Sequence, residues 1–548
     1  MTHLIPFAAL AGVLLILGLL KSRTVGRQGH SEIRARRMRW RIRLRMRPGP
    51  GFASATELSV RWSRIRCVIT GRRSRPSLPF WARLITRATT YGVRLGRAQW
   101  FRRVFGRMED QVLMVAPPRA GKSGALADRI LDHPGPALVT TTRADLYNLT
   151  AGGRRLLGPV EVFNPQGVGG LPSTFSWDVV AGCEDPAAAI RRAQALTGAV
   201  PAGDLSFWVD KAAAALAALL HAAALDGRTI LDVYGWANRY LGHQPGEILG
   251  RDPRASKALL STLSEIEAPG KTADSIRVTM SRAMAWVAVP SIAEAVTPGA
   301  GRGLNVRHFI SQRATLYLIA SDAAENSPVG PLFRALAEEI HFVGGIIGSC
   351  GPAGRLDPPL LFALDEVCQV CPVPLPSWMA DSAGKGILIV AVCHGLGQLE
   401  ARYGQHGAQA IWETAGCKMF LGGIDDDALL ASVSRVCGEI QVKRDGKGEA
   451  YDTVPVVPVD VLRTLADFRA LILRTNLSPC VVKLRMAWKR RDYRKAPQPA
   501  AALYRIPVQA GPATAPWLRP VPPGTLAATA GKPAAANGHV NGDSTHRA

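Results

Sequence analysis

Apolar positions along this chain fall into distinct textures. Short uninterrupted runs recur in VLMVA from Val112, ALVTTT from Ala137, ATLYLIA at Ala314–Ala320, LLFAL at Leu360–Leu364, ILIVAVC at Ile387–Cys393 and KMFLGG at Lys418–Gly423. Runs of this length, apolar at odd and even positions alike, predict strands buried on both faces, the pattern of a parallel sheet. Segments with helical spacing lie between them, beginning with ADRIL after the first run, so the alternation is that of a doubly wound α/β sheet. After Asp178 the strand texture disappears. KAAAALAALLHAAAL, STLSEIEA and SIRVTMSRAMAWV are rich in Ala and Leu at 3.6-residue spacing. They predict an all-α domain at 181–300 inserted into an α/β unit made of 108–180 and 301–507.

The two ends differ from this middle. Leu4–Leu20, LIPFAALAGVLLILGLL, is uncharged and, at roughly 25 Å as a helix, just spans a bilayer when its flanks snorkel. Charge follows this run rather than preceding it, and no small-residue cleavage site is visible, so the segment reads as a transmembrane anchor (1–21) and not as a secretory signal. Eleven Lys or Arg from Lys21 to Arg47 orient the rest to the cytoplasm, giving a single-pass protein of the cell membrane. Beyond Val508 the chain is Pro, Ala, Gly and Thr, a tail expected to be disordered over 508–548.

Charge sharpens this division. The 548 residues have an ordinary globular composition, 47% hydrophobic and 20% charged, but a formal net charge of +25. Met1 to Arg107 holds 24 Lys or Arg against Glu32 and Glu57, a local balance of +22 that leaves +3 for everything after it. The segment 22–107 therefore reads as a basic juxtamembrane stalk, with short apolar runs such as SVRWSRIRCVI and FWARLITRATTYGVRL that could form one small packed element, and it faces acidic lipid, nucleic acid, or both. Nine cysteines in a cytoplasmic chain are expected to be reduced. Cys368 and Cys371 form a CQVC spacing without a second pair, which favours two small buried side chains over a zinc site.

The chemistry gathers at the ends of the predicted strands. APPRAGKS, Ala116–Pro117–Pro118–Arg119–Ala120–Gly121–Lys122–Ser123, followed by Gly124, joins the first strand to a helix. A phosphate-binding loop needs this arrangement: backbone N–H groups at a helix N-terminus, a Lys for the outer phosphates and a hydroxyl for magnesium. Ala116 takes the place of the usual first Gly, which the loop tolerates if that residue keeps a negative φ. ATP and Mg2+ are the implied ligands. Hydrolysis further requires a carboxylate for the metal and a base for water. LLFALDE ends in Asp365, read as a magnesium ligand beside Ser123, and Glu366, read as the general base. ILIVAVC ends at His394, which with Gln398 is a candidate sensor of the γ-phosphate. Asp425, Asp426 and Asp427 read as a helix cap rather than a second metal site.

APPRAGKS, the strand ending in DE, GQLEARYG, CKMFLGGIDDDALL, RADLYNLTAG and FWVDKAAAALAALL together resemble the TraG/TraD class of coupling ATPases of conjugative type IV secretion, in an actinobacterial-like branch. The likeness runs through scattered blocks from Gln111 to Tyr493 and is strongest from Pro359 to Glu439. It implies a RecA-like P-loop NTPase with an inserted all-α domain, assembling as a homo-hexamer on the membrane. ATP-driven delivery of relaxase-bound single-stranded DNA to the secretion channel proteins is the implied activity, with Lys122, Ser123, Asp365 and Glu366 in the roles given above. Where the family has Gln then Ser after the sensor strand, this chain has His394 and Gly395. Where members commonly have two membrane spans, one is visible here. Two other functions fit the same residues: an ATPase that exports protein substrates, and a non-hydrolysing ATP-binding membrane scaffold. An arginine finger from a neighbouring subunit would be expected, with Lys385 or Arg402 as the nearest substitutes.

Overall fold

A computed structural model describes residues 50–495, apart from 73, 80–85, 100–101, 199–203, 239–243, 268–269, 299–302, 321–327 and 444–450. The expected membrane anchor and C-terminal tail both lie outside the described residues.

Each apolar run forms a strand. β3 (Val112–Val115), β4 (Ala137–Thr141), β6 (Thr315–Ile319), β7 (Leu360–Leu364), β8 (Ile387–Cys393) and β9 (Cys417–Leu421) are joined by β5 (Val160–Phe163) in a parallel block ordered β9-β3-β8-β7-β4-β6-β5. Period-two geometry sends alternate side chains to opposite faces. Leu113, Val115, Phe362, Leu364, Ile389 and Ala391 enter one core, and Val112, Met114, Leu361, Ala363, Val390 and Val392 enter the other. Both faces are therefore covered. On the second face lie helices α1 (Lys122–Asp132) and α2 (Asp145–Arg154), whose apolar sides carry Leu126, Ile130, Leu146 and Ala151 into the core.

The helical insertion is present between β5 and β6, on the first face. It begins with α3 (Pro186–Thr197), which has Pro at its first turn and Asp185 as N-cap, its carboxylate accepting from Ala187 N–H at 3.0 Å. α4 (Asp204–Leu225) is apolar on most sides and packs in the middle of shorter helices at Ile230–Asn238, Gln244–Arg251, Lys257–Glu267 and Lys271–Ala283. By length and composition Ser206–Leu225 could cross a membrane, but Ala212, Leu216, Leu219, Leu220 and Ala223 are buried inside the protein, as in a core helix.

Part of the stretch expected to be a stalk is folded. β1 (Gly92–Arg97) and β2 (Arg103–Arg107) form a hairpin that lengthens the main sheet through β13 (Cys480–Lys483) and β12 (Arg469–Arg474), antiparallel to β9. The resulting sheet has 11 strands, ordered β2-β1-β13-β12-β9-β3-β8-β7-β4-β6-β5. The Arg density of GVRLGR and RVFGR hides the strand pattern, because an Arg stem can line a sheet while its head finds a partner. Arg94 is buried and feels the charge of Asp128 and Asp132, although its Nε and Nη2 make no hydrogen bond among the described residues. β10 (Glu439–Lys443) and β11 (Tyr451–Pro455) form a separate two-stranded ribbon.

Candidate nucleotide site

The order β3-β8-β7 places three loops side by side at the carboxyl edge of the parallel block: the loop after β3, His394 after β8, and Asp365–Glu366 after β7. Open parallel sheets put their ligands at this edge.

The loop is built by backbone conformation. Ala116 closes β3 fully buried, its N–H donating to Cys393 O at 3.0 Å, and it is not among the described non-glycine residues with positive φ. Replacement of the first Gly is thus accommodated. Pro118 and Arg119 are exposed at the turn, where Arg119 has φ 65°. Gly121 has φ 94°, a left-handed conformation that permits Lys122 to open α1 directly. With no capping side chain at Gly121, the first N–H groups of α1 are left for a ligand, the arrangement that favours phosphate.

The facing groups converge on Lys122. Its Nζ donates to Glu366 Oε1 at 2.5 Å and lies 3.6 Å from Asp365 Oδ1. Asp365 is buried, and its Oδ1 has no hydrogen-bond partner among the described residues. Burial pushes its carboxyl up to about 6, against the pull of Lys122. Its backbone is fixed from β4, where Thr140 Oγ1 donates to Asp365 O at 3.0 Å. A buried carboxylate oxygen that makes no hydrogen bond, only a long ion pair to Lys122, suits a hard divalent cation, so Asp365 fits Mg2+, with the Ser123 hydroxyl next to Lys122 as the further oxygen that would hold it. Glu366 adopts φ 51°, an uncommon conformation for a non-glycine residue and one that turns its side chain back toward the loop.

His394 completes the cluster. Nδ1 lies 3.1 Å from Ala116 O, and Nε2 lies 3.6 Å from Glu366 Oε1. Oxygens face both ring nitrogens, which favours the imidazolium, and the pKa of His394 is raised accordingly, chiefly by Glu366. In return His394, and then Lys122, hold Glu366 down at about 2. Gln398 Oε1 accepts from His394 N–H at 2.9 Å, fixing the backbone at the start of α5 (Leu396–Thr414).

The remaining candidates separate from this cluster. Asp426 is the N-cap of the helix Asp427–Val436, accepting from Leu429 N–H at 3.0 Å, as its sequence position led one to expect. Cys371 is buried and Cys368 partly so, burial raises both thiols, and no group of three or more metal-ligating side chains occurs among the described residues. Lys385 is paired with Asp381. Thr140 and the left-handed Glu366 were not legible in the sequence, since both matter through backbone geometry.

Residues 359–465 match the domain family described as the TraM recognition site of TraD and TraG. This segment is of the TraG/TraD type. It contains Asp365, Glu366 and His394, and its strands β7, β8 and β9 are buried, while the β10–β11 ribbon, with Tyr451 exposed, lies at its surface. Among solved structures the chain is similar to the plasmid coupling protein TrwB in complex with a non-hydrolysable ATP analogue, at 16% identity over 69% of this chain and 86% of that one, with a TM-score of 0.53. TrwB in complex with ADP and Mg2+ gives 17%, 69%, 86% and 0.51, and the unbound monoclinic form of TrwBdeltaN70 gives 17%, 70%, 88% and 0.52. At these identities the likeness is one of fold, a RecA-like fold with a mostly parallel sheet. No curated protein matches the chain.

Proposed function

We propose that the protein is a membrane-anchored ATPase that couples hydrolysis to passage of a relaxase-bound single DNA strand into a conjugative type IV secretion channel, working as a homo-hexamer. The observation that carries the ATPase reading is the meeting of Lys122, Asp365, Glu366 and His394 at one sheet edge. The TraG/TraD-type segment and the TrwB-like fold support the assignment to DNA transfer, including a contact with a TraM-like partner of the DNA-processing complex.

The geometry sets out how the residues would act. In the structure Lys122 is held by the two carboxylates. A triphosphate in the loop competes for that ammonium and draws it off Glu366, while the N–H groups at the start of α1 take the phosphate oxygens. Ser123 and Asp365 would hold Mg2+, which supplies positive charge to the phosphate oxygens. Glu366, freed of one of its two cations, then accepts a proton of the attacking water as the water oxygen bonds the γ-phosphorus and the bond to the β-phosphate oxygen breaks, yielding ADP and inorganic phosphate. His394 stays within reach of Glu366 and of the loop carbonyl of Ala116, so it links the state of the base to the position of the loop.

A motor that tracks any sequence needs sequence-tolerant phosphate contacts rather than base readout. The expected result is therefore that single-stranded DNA of arbitrary sequence raises the ATP turnover of the full chain in lipid. Turnover indifferent to single-stranded DNA but raised by a secreted protein would overturn the DNA assignment.

A further inference from the structure

The sites described so far account for phosphate, metal and water, and all lie on the β8–β7 side of the loop. On the opposite side, toward β9, β12 and β13, a different set of residues leans over the same loop. Phe468 immediately precedes β12, and Trp488 follows β13 within the segment Ala487–Lys489. Strand direction brings both to the edge that carries the phosphate loop, because β12 starts where β9 ends and β13 ends where β12 starts.

Contact with the loop is close. A methyl group on Gly121 would come 2.8 Å from the Phe468 ring, and one on Gly124 would come 2.5 Å from the Trp488 indole. The two rings meet edge to face, centroids 6.3 Å apart at 79°. Lys489 Nζ stands 5.8 Å from the Phe468 centroid. Two features make this more than core packing. Phe468 has φ 59°, an outlier for a bulky aromatic residue that surrounding structure must impose. Trp488 leaves 40% of its surface exposed although the benzo edge of its ring packs against Gly124 of α1, so part of this residue stays open to solvent beside the loop. The segment is held in place by Arg490, which donates to Asp128 Oδ1 at 2.9 Å and to Asp132 Oδ1 at 2.8 Å, both on α1.

A nucleoside triphosphate is directional. Its γ end must lie where metal and water are handled, beside Asp365, Glu366 and His394. The nucleoside must then leave the loop on the other side of β3, over Gly121 and Gly124. We infer that Trp488 and Phe468, with Lys489 at their rim, are the nucleobase platform of this site, the base stacking on the indole. The inference rests on the phosphate-site reading above and adds the end of the ligand that the motif does not specify. Stacking on an aromatic face reads the ring of the base and not its edge, and it contributes affinity that a base-free polyphosphate cannot use.

The test compares MgATP with Mg-tripolyphosphate by calorimetry on the full-length protein in detergent, with circular dichroism to check folding. Trp488→Ala is expected to weaken MgATP on the order of tenfold while leaving tripolyphosphate within about twofold, and Trp488→Phe is expected to recover most of the loss. Indole fluorescence should fall on MgATP addition in the parent, and this part of the change should be missing in Trp488→Phe. Equal weakening of both ligands by Trp488→Ala would show that the ring only braces the loop, and no weakening of either would remove it from the site; each overturns the platform. Lys122→Ala separates the two levels of inference: it should weaken both ligands, and if it weakens neither, the phosphate site itself is wrong and the platform falls with it.

Discussion

Asp365 illustrates how a functional carboxylate works against the fold that holds it. Its ordinary value of 3.8 is raised to about 6 by burial, so the folded protein binds that proton more tightly than the unfolded chain does. The sign follows: below about pH 4 the group is protonated in both states and costs nothing, and as pH rises through 6 the folded state must hold a buried charge. The penalty at pH 7 is up to about 3 kcal/mol. Asp365→Asn should accordingly raise the unfolding free energy at pH 7 by up to about 3 kcal/mol, with the gain vanishing near pH 4, while magnesium-dependent ATP binding is lost. Chemical denaturation at the two pH values checks this, and a destabilised Asn variant at pH 7 would contradict the charge account. At this scale the sequence picked out Lys122, Asp365, Glu366 and His394, which the structure brings together at one sheet edge, because residue type and strand-end position single them out. What it hid was their state. That Lys122 bridges two carboxylates, that Glu366 sits at φ 51° and that Gln398 turns to a backbone N–H are consequences of backbone geometry.

Among the elements, α1 is the one on which the rest depends. Its N-terminus carries Lys122 and the uncapped N–H groups of the proposed phosphate site, and its C-terminal half carries Asp128 and Asp132, which meet Arg485 and Arg490 from the segment after β13. Arg490 is almost entirely buried, with its side chain only 3% exposed. Removing one member of a buried ion group leaves its partner charged and poorly solvated, which costs about 3 kcal/mol or more. Arg490→Ala is expected to lower stability by about that amount, tempered by the remaining Arg485, and to loosen MgATP binding because Trp488 is displaced with the segment. Unchanged denaturation midpoint and unchanged ATP affinity would show that the clasp is incidental. None of this was legible in the sequence. The pair of acids on α1 and the two arginines are more than 350 positions apart, and no local pattern joins them. The six apolar runs read as strands were legible because burial on both faces leaves no polar alternation to confuse; β5, with Glu161 in a four-residue strand, gave no such run.

Across the whole molecule, the boundary of the folded unit is earlier in the chain than charge alone indicates. A net charge of +22 before Met108 made 22–107 look like a solvated stalk, yet Trp62 is fully buried and β1–β2 cover the edge of β13. Charge locates a partner surface but not a domain limit, since arginine stems pack as well as aliphatic chains of similar length. A protein starting at Gly51 should therefore be soluble and show a single cooperative unfolding transition. One starting at Gln111 should lose the hairpin, expose an unpaired sheet edge and the cavity left by Trp62, and aggregate. Size-exclusion chromatography and thermal unfolding of the two proteins check this; equal behaviour would mean that the hairpin is dispensable to the core.

The central claim is that Lys122 and Glu366 act on one ATP molecule in separable ways, one holding phosphate and the other activating water. The most direct measurement is ATP binding and phosphate release, side by side, for the full-length parent, Lys122→Ala and Glu366→Gln. Lys122→Ala is expected to lose binding and turnover together, and Glu366→Gln to keep ATP while phosphate release falls on the order of a hundredfold or more. Phosphate release from Glu366→Gln at the parental rate, or ATP retention by Lys122→Ala equal to that of the parent, would contradict that claim.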